Sequence, residues 1–229
     1  MPANSTAYPV TPTTRATWTV DHAWVVPEGT EPPPSVPAQV FEAAVAAYRA
    51  GQRLDMQQLA VSLGVSRATL YRRTGNRESL MAEVIWWDGR RSIIDAIRRT
   101  DALTGVQRVV EVTRLVLTNS IRSLPLQRFL EADPEGALRV LTGARGGIQD
   151  RYIDCFERLF ELETARGHLS LGIDTTSLTF AMIRIAEGFL YADVIADRRR
   201  DVGDAVAIID GLLHGLDSSA PQLPPARRR

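Results

Sequence analysis

The chain has 229 residues, 45% hydrophobic and 24% charged, with 27 basic and 27 acidic side chains and a single cysteine, Cys155. That length is enough for one or two packed domains, and one cysteine excludes an intrachain disulfide and fits a reducing cytoplasm. No apolar run approaches the roughly 18 residues of a membrane span, and the opening MPANSTAYPV carries neither the basic nor the apolar segment of a secretion signal, so neither a membrane nor export is expected.

The zero net charge is unevenly placed. Residues 37–81 carry six Arg against Glu42, Asp55 and Glu78, whereas residues 105–197 carry ten Arg against thirteen acids. A basic amino-terminal module on an acidic body suits an anionic partner for the first part alone. Every basic residue is arginine; that usage reads as genomic base composition and is not taken as phosphate chemistry.

In chain order, residues 1–36 are rich in Pro, Thr and Ser and close on Glu31-Pro32-Pro33-Pro34, which predicts an extended or mobile arm, with Trp18 and Trp24 available to pin it. A first helix is expected over about 38–50, with Val40, Phe41, Ala44, Val45 and Tyr48 inward and Gly51 ending it. Asp55 and Gln58 form a D-x-x-Q capping box for a second helix, with Leu54 and Leu59 at the staple positions. Ser66 starts a third, stapled by Val65 and Leu70, and Asn76 caps a long fourth that carries Leu80, Val84, Trp87, Ile94 and Ile97. Helices two and three, separated by only a few residues, make a helix-turn-helix.

Further helices are expected over about 104–122, 124–132, 134–142, 147–168, 174–198 and 202–216, with breaks at Gly, Pro and Gly-Gly positions and a flexible Gly143–Gly147 loop. Residues 218–229 read as a disordered tail. The fold class is therefore all-α: a head at 37–81 followed by a helical body at 82–217.

Gly64 can adopt the left-handed backbone that the corner between two crossed helices needs. Leu59, Ala60, Leu63, Val65 and Leu70 then face inward, leaving Arg67, Ala68, Thr69, Arg72 and Arg73 on the open side, with Ser66 at the helix start. A helix fits the DNA major groove, and its amino-terminal residues reach base edges: Arg bonds guanine O6 and N7 together, and a Thr methyl packs on the thymine methyl.

The stretch LAVSLGVSRATLYRRTGNRESLM (59–81) resembles the TetR family of bacterial repressors, whose signature reads L-A-x-x-L-G-V-S-x-x-T-L-Y-R-x-x-x-x-[KR]-E-x-L. The likeness covers about residues 38–81. It implies a helical carboxyl-terminal domain that dimerises and binds a small inducer, a roughly palindromic double-stranded operator, and DNA contacts from Gln57, Arg67, Ala68, Thr69, Tyr71, Arg73 and Arg77. By the same analogy Tyr71 and Arg77 grip phosphates, which agrees with a helix amino terminus and a guanidinium forming an anion site. Thr74 departs from the apolar or aromatic residue usual there. More narrowly, the SRATLYRRTG core after a proline-rich lead is similar to regulators of quorum-signal lactone degradation in actinobacteria, which implies a lactone or other apolar inducer.

The pocket is less legible. Ile148, Tyr152, Cys155, Phe156, Leu159 and Phe160 form an apolar stripe that reads first as core; Tyr152 and Phe156 also suit a cavity wall, approached by Asn119, Arg122 and Phe129. Trp86 and Trp87 lie on the fourth helix, which in this family joins head to pocket, so Trp87 is a candidate sensor. The helix from Asp174 presents Leu178, Ala181, Met182, Ile185, Ala186, Phe189 and Ala192 on one side, and the resemblance places the last two long helices at the dimer interface. Arg184 and Glu187 interrupt that stripe and either pair across helices or reach a ligand. His22, His168 and His214 are scattered, and no Walker, G-x-S-x-G or G-x-G-x-x-G motif is present, so no metal, cofactor or catalytic activity is expected. The expectation is a cytoplasmic, ligand-responsive repressor; the rival is a helical small-molecule carrier that reads no operator.

Overall fold

The computed structural model describes residues 36–143 and 147–218; the arm up to Ser35, the loop centre 144–146 and the tail from Ser219 lie outside the described residues. Among the described residues the fold is all-helical: α1 (Ala38–Arg49), α2 (Met56–Ser62), α3 (Arg67–Thr74), α4 (Arg77–Arg99), α5 (Gly105–Arg122), α6 (Leu124–Ala132), α7 (Pro134–Thr142), α8 (Ile148–Ala165), α9 (Thr175–Leu190), α10 (Ala192–Ala196) and α11 (Val202–Leu216). No helix among them is long and apolar enough to cross a membrane.

Local signals set the head. The Asp55 carboxylate accepts from the Gln57 and Gln58 amides at 2.7 and 3.1 Å, which holds it below the usual carboxylate range through those two backbone hydrogen bonds. Ser66 Oγ accepts from the Thr69 amide at 3.1 Å and Asn76 Oδ1 from the Ser79 amide at 2.7 Å; caps of this kind contribute about 1 kcal/mol each. Gly64 takes φ +64°, and the Val65 amide reaches back to the Ala60 carbonyl at 3.0 Å, closing the corner. The departure at Thr74 is resolved by the backbone: buried Thr74 donates its hydroxyl to the Leu70 carbonyl at 3.0 Å, so a polar side chain sits behind α3 with its hydrogen bond made.

Two apolar clusters fill the interior. One joins α1, α2, Leu70 of α3 and the first half of α4 (Leu80, Met81, Ala82, Val84, Ile85) to Leu126 and Leu130 of α6, Ala137, Val140 and Leu141 of α7, Ile148 and Tyr191. The other joins the second half of α4 (Ile93, Ala96, Ile97) to α5, α8, α9 and α11. A head-body boundary at residue 81 therefore falls inside one continuous helix and one shared core. Val36, the last residue of the expected arm, is buried in the first cluster.

Two expected boundaries differ. The helix expected over 174–198 bends at Tyr191 (φ −110°, ψ 20°), which separates α9 from α10 and buries the Tyr191 side chain; neither Gly nor Pro marks the spot, so periodicity gave no warning. The 147–168 helix ends at Ala165, where Gly167 at φ +74° and a His168 amide bonded to the Glu163 carbonyl at 2.9 Å form a Schellman stop. The stripe on α9 also turns inward: Leu178, Met182 and Ala186 belong to the core, and Phe180 (50% exposed) and Ala181 face out.

The far end of the body is closed by a buried ion pair. Arg108 and Glu163 side chains are 1% and 0% exposed, with Nη1 to Oε1 at 2.9 Å. Glu163 Oε2 also accepts from the Gly105 amide at 2.7 Å and lies 3.2 Å from His168 Nδ1, so a carboxylate on α8 caps α5 in place of Thr104. A Cβ on Gly105 would lie 2.4 Å from the His168 carbonyl oxygen, so only glycine fits that approach. Replacing Arg108 by Met strands a buried carboxylate and is expected to lower stability by about 3–5 kcal/mol in urea unfolding; a loss below about 1 kcal/mol would show that the Gly105 amide and His168 satisfy Glu163 unaided.

Candidate functional site

Two features stand out, one on each side of α4. The first is α3 itself. Its sequence, RATLYRRT, holds three arginines and no acid, and only Leu70 and Thr74 are buried. Arg67, Ala68, Arg72 and Arg73 are exposed, Thr69 is half-buried, and Tyr71 is 38% exposed; Gln57 and Ser66 are exposed beside them. The Arg67 guanidinium lies 6.0 Å from the Tyr71 ring, one helical turn away on the same face. Arg77 stands apart from this group. It is half-buried, donates Nε to the Leu54 carbonyl at 3.1 Å and points Nη1 toward Asp133 at 3.9 Å, so it ties the start of α4 to the α2 entry and the α6–α7 junction.

The second feature is a cavity of about 220 Å³ between α4, α5, α8 and α9. Apolar walls come from Ile85, Val116, Leu117, Phe156, Met182 and Ile183, with Leu126, Leu141 and Leu190 nearby. The polar wall is substantial: Asp88 and Ser92 on α4, Asn119 and Ser120 on α5, Ser123, and Gln149, Tyr152, Glu187 and Tyr191. Tyr48 of α1 completes it. A mostly apolar hollow with a few convergent polar groups has the character of a small-molecule site.

Electrostatics sharpen the description. Both carboxylates on the wall are partnered. Asp88 accepts from Arg49 Nε and Nη2 at 3.1 and 2.8 Å, and Glu187 accepts from Arg184 Nη1 at 2.7 Å and from Gln149 Nε2 at 3.0 and 3.1 Å. Burial nevertheless pushes the Glu187 carboxyl up, against the lowering from Arg184 and Gln149. Burial likewise drives the phenols of Tyr48, Tyr152 and Tyr191 well above their ordinary range. Cys155, one turn from Tyr152, is buried and its thiol is pushed up to about 12 by desolvation.

Of the residues singled out for the pocket, Asn119, Tyr152, Phe156 and Glu187 line the cavity; Trp87, Arg122, Phe129 and Arg184 do not. Trp87 points toward the head, edge-on to Phe41 at 5.6 Å with the Arg49 and Arg90 guanidinium groups at 5.2 and 4.8 Å from its ring. Trp86 is the indole beside the cavity, bracing Tyr152 edge-to-face at 5.4 Å. Phe129 packs on Tyr48 at 6.1 Å, behind the wall. Arg184 is exposed and acts through Glu187, and Arg122 lies exposed at the end of α5. Sequence reasoning missed Tyr48, Asp88, Gly89 and Ser92. Gly89 was the legible signal: a glycine inside an otherwise good helix marks a close approach, and here a Cβ would lie 3.1 Å from the Tyr152 hydroxyl.

A helix-turn-helix head with an exposed basic helix, continuous with a helical body that holds a cavity, has the architecture of ligand-sensing DNA-binding regulators. Residues 104–214 match the family profile described as "Tetracyclin repressor-like, C-terminal domain". The chain is similar to the solved structure of the Rhodococcus (R. erythropolis) transcriptional repressor QsdR of the TetR family, at 26% identity and TM-score 0.71, over 77% of this chain and 93% of that one. A weaker likeness is to the fatty acid degradation regulator FadR of Bacillus halodurans, at 16% identity and TM-score 0.48, over 77% and 97% of the two chains. Comparison with curated proteins gives no match. Residues 104–214 are thus similar to the carboxyl-terminal domain of TetR-family regulators, and the described fold is similar to that of a TetR-family repressor.

The raised Glu187 carboxyl makes stability depend on pH with a definite sign. Below the ordinary Glu range, about pH 4, folded and unfolded states are both protonated. As pH rises through the higher folded value, ionisation favours the unfolded chain and stability falls. Glu187→Gln is therefore expected to unfold at higher urea than the native protein at pH 7, with the two curves converging near pH 4; an equal offset at both pH values would assign the effect to packing.

Proposed function

We propose that the protein is a sequence-specific DNA-binding repressor that works as a homodimer and leaves its operator when a small uncharged inducer, best represented by a lactone, fills the cavity. The observation that carries this reading is the pairing of an acid-free, solvent-facing α3 with a mostly apolar cavity, both packed on α4. In this reading Arg67, Thr69 and Ala68 meet base edges, with Arg72 and Arg73 beside them, while Gln57, Ser66 and Tyr71 hold the backbone. Arg77, pre-set by the Leu54 carbonyl, presents its remaining guanidinium edge to a phosphate at the α4 amino terminus.

The outward side of α9 and α11 supports a dimer. Phe180 and Ile208 are 50% and 48% exposed, and a Cβ added at Gly188, Gly211 or Gly215 would meet nothing within 4 Å. Small residues beside large apolar ones let a second helix pair approach closely. Two-fold symmetry then asks for a roughly palindromic operator with recognition helices about 34–36 Å apart. An inducer releases DNA only by binding a differently spaced state more tightly, and a coupling of about 1–3 kcal/mol is typical.

The cavity chemistry favours an uncharged inducer. Among the described residues its wall holds Asp88 and Glu187 and no Arg, Lys or His. A carboxylate entering would lose its water beside two carboxylates already satisfied by Arg49 and Arg184. QsdR, a transcriptional repressor from the TetR family, has a similar fold over 77% of this chain, and the likeness of the α3 region to regulators of lactone degradation suggests the ring.

Mobility shifts with the DNA upstream of the chain's own gene, against a scrambled duplex at two salt concentrations, test the regulator reading. Native protein is expected to retard the upstream duplex specifically. Arg67→Ala should lose base preference by about 1–3 kcal/mol, and Tyr71→Phe should weaken both duplexes alike; ligand binding without any specific shift would favour a carrier instead. γ-Decalactone should release the DNA at a concentration at least tenfold lower, about 1.4 kcal/mol, than its ring-opened 4-hydroxydecanoate. Equal potency of the acid would overturn the uncharged assignment.

A further inference from the structure

Tyr48 belongs to the DNA-binding head and yet forms part of the cavity wall. Its ring is 3% exposed and wedged against Phe129 of α6. Asp88 of α4 and Ser123 line the cavity with it, and both act electrostatically on its hydroxyl. The neighbouring Arg49 clasps Asp88 from outside at 2.8 Å. Two residues further on, Gly51 at φ +70° lies so close to α6 that a Cβ would stand 2.5 Å from Arg128 Cδ. The last turn of α1 is thus seated against α4 and α6 by three near-consecutive residues, and the middle of that seat is open to the cavity through Tyr48.

We infer that Tyr48 is a ligand-contacting residue, holding the uncharged oxygen of the inducer together with Ser123, and that occupancy reaches the head directly through α1 as well as through α4. The inference rests on reading the cavity as the inducer's site. Its physical basis is the absence of slack. Phe41, Ala44 and Val45, on the same helix, share one cluster with Leu59 of α2 and Leu70 of α3, so α1 cannot shift without carrying α2 and α3 along. A ligand oxygen that accepts a hydrogen bond from the Tyr48 hydroxyl pulls on the phenol, and the ring, buried between α4 and α6, transmits that displacement to its own helix. The carboxylate of Asp88, already engaged by Arg49, sets the other limit: an uncharged acceptor is accommodated there and an anion is not.

Hydrogen exchange on the full-length protein, with and without saturating γ-decalactone, tests this. Exchange is expected to slow at residues 42–51 of α1 by more than it slows in α11, which has no residue on the cavity wall and therefore reports only global stabilisation by the ligand. Tyr48→Phe, which keeps the ring and removes the hydroxyl, is expected to bind the lactone five- to tenfold more weakly. Slowing confined to the cavity segments of α4, α5, α8 and α9, with α1 no slower than α11, overturns the inference while leaving the cavity as the ligand site. Native affinity in Tyr48→Phe overturns the hydroxyl contact. If no cavity segment slows at all, the reading of the cavity falls, and this inference falls with it.

Discussion

One rigid rod constrains everything else. α4 runs for 23 residues, about 35 Å at 1.5 Å per residue, with its first half sunk in the apolar cluster that contains the head and its second half in the cluster that fills the body. The head cannot be repositioned without tilting this helix, and the helix cannot tilt without disturbing the cavity that Ile85, Asp88, Gly89 and Ser92 help to wall. Ion pairs link the rod to its surroundings: Arg77 to Asp133, Glu78 to Arg139, Glu83 to Arg151 and Asp88 to Arg49. All are partly exposed, so each contributes about 0–1 kcal/mol, less than one well-buried Leu or Ile at about 1.5–3 kcal/mol. The apolar clusters fix where the head sits; the ion pairs are the contacts that can be exchanged when it moves.

The two polar constellations of the body behave differently because of what surrounds them. Arg108, Glu163 and the Gly105 amide form a buried, mutually bonded set. Breaking such a set is costly, so it anchors the α4–α5 connection to the end of α8. Tyr48, Tyr152, Tyr191 and Glu187 form an open set arranged around empty volume, where a ligand can supply or replace a partner. A body stiff at one end and adjustable at the other directs any rearrangement toward the head.

Much of the head was legible because its instructions are local. Asp55, Ser66 and Asn76 precede their helices by one residue, Gly64 marks the corner, and the staple residues lie beside the caps; each acts within five positions of itself. Most breaks between the body's helices followed from Gly and Pro for the same reason, the one between α9 and α10 excepted. The cavity did not follow, because a hollow is a property of packing among segments distant in sequence and leaves no periodic trace. Tyr152, Phe156, Asn119 and Glu187 were reachable from helical phase and from polar interruptions of a stripe. Tyr48 was not, since its alternation with Phe41 and Val45 is that of an ordinary core residue. Trp87 shows the converse: a prominent side chain on the right helix, one residue out of phase with the wall and therefore packed on α1. The bend at Tyr191 is a tertiary choice that overrides a good helical pattern.

Cys155 is buried on the inner face of α8 with a thiol pushed up to about 12, so it offers almost no thiolate to an electrophile at neutral pH. The protein therefore comes with its own silent background for site-directed labelling. A cysteine introduced at Val61, 76% exposed on α2 next to α3, would carry a spin or fluorescent tag alone, without any need to strip the native residue from the core. In a symmetric pair of chains the two tags become a molecular ruler that reads head-to-head separation in solution.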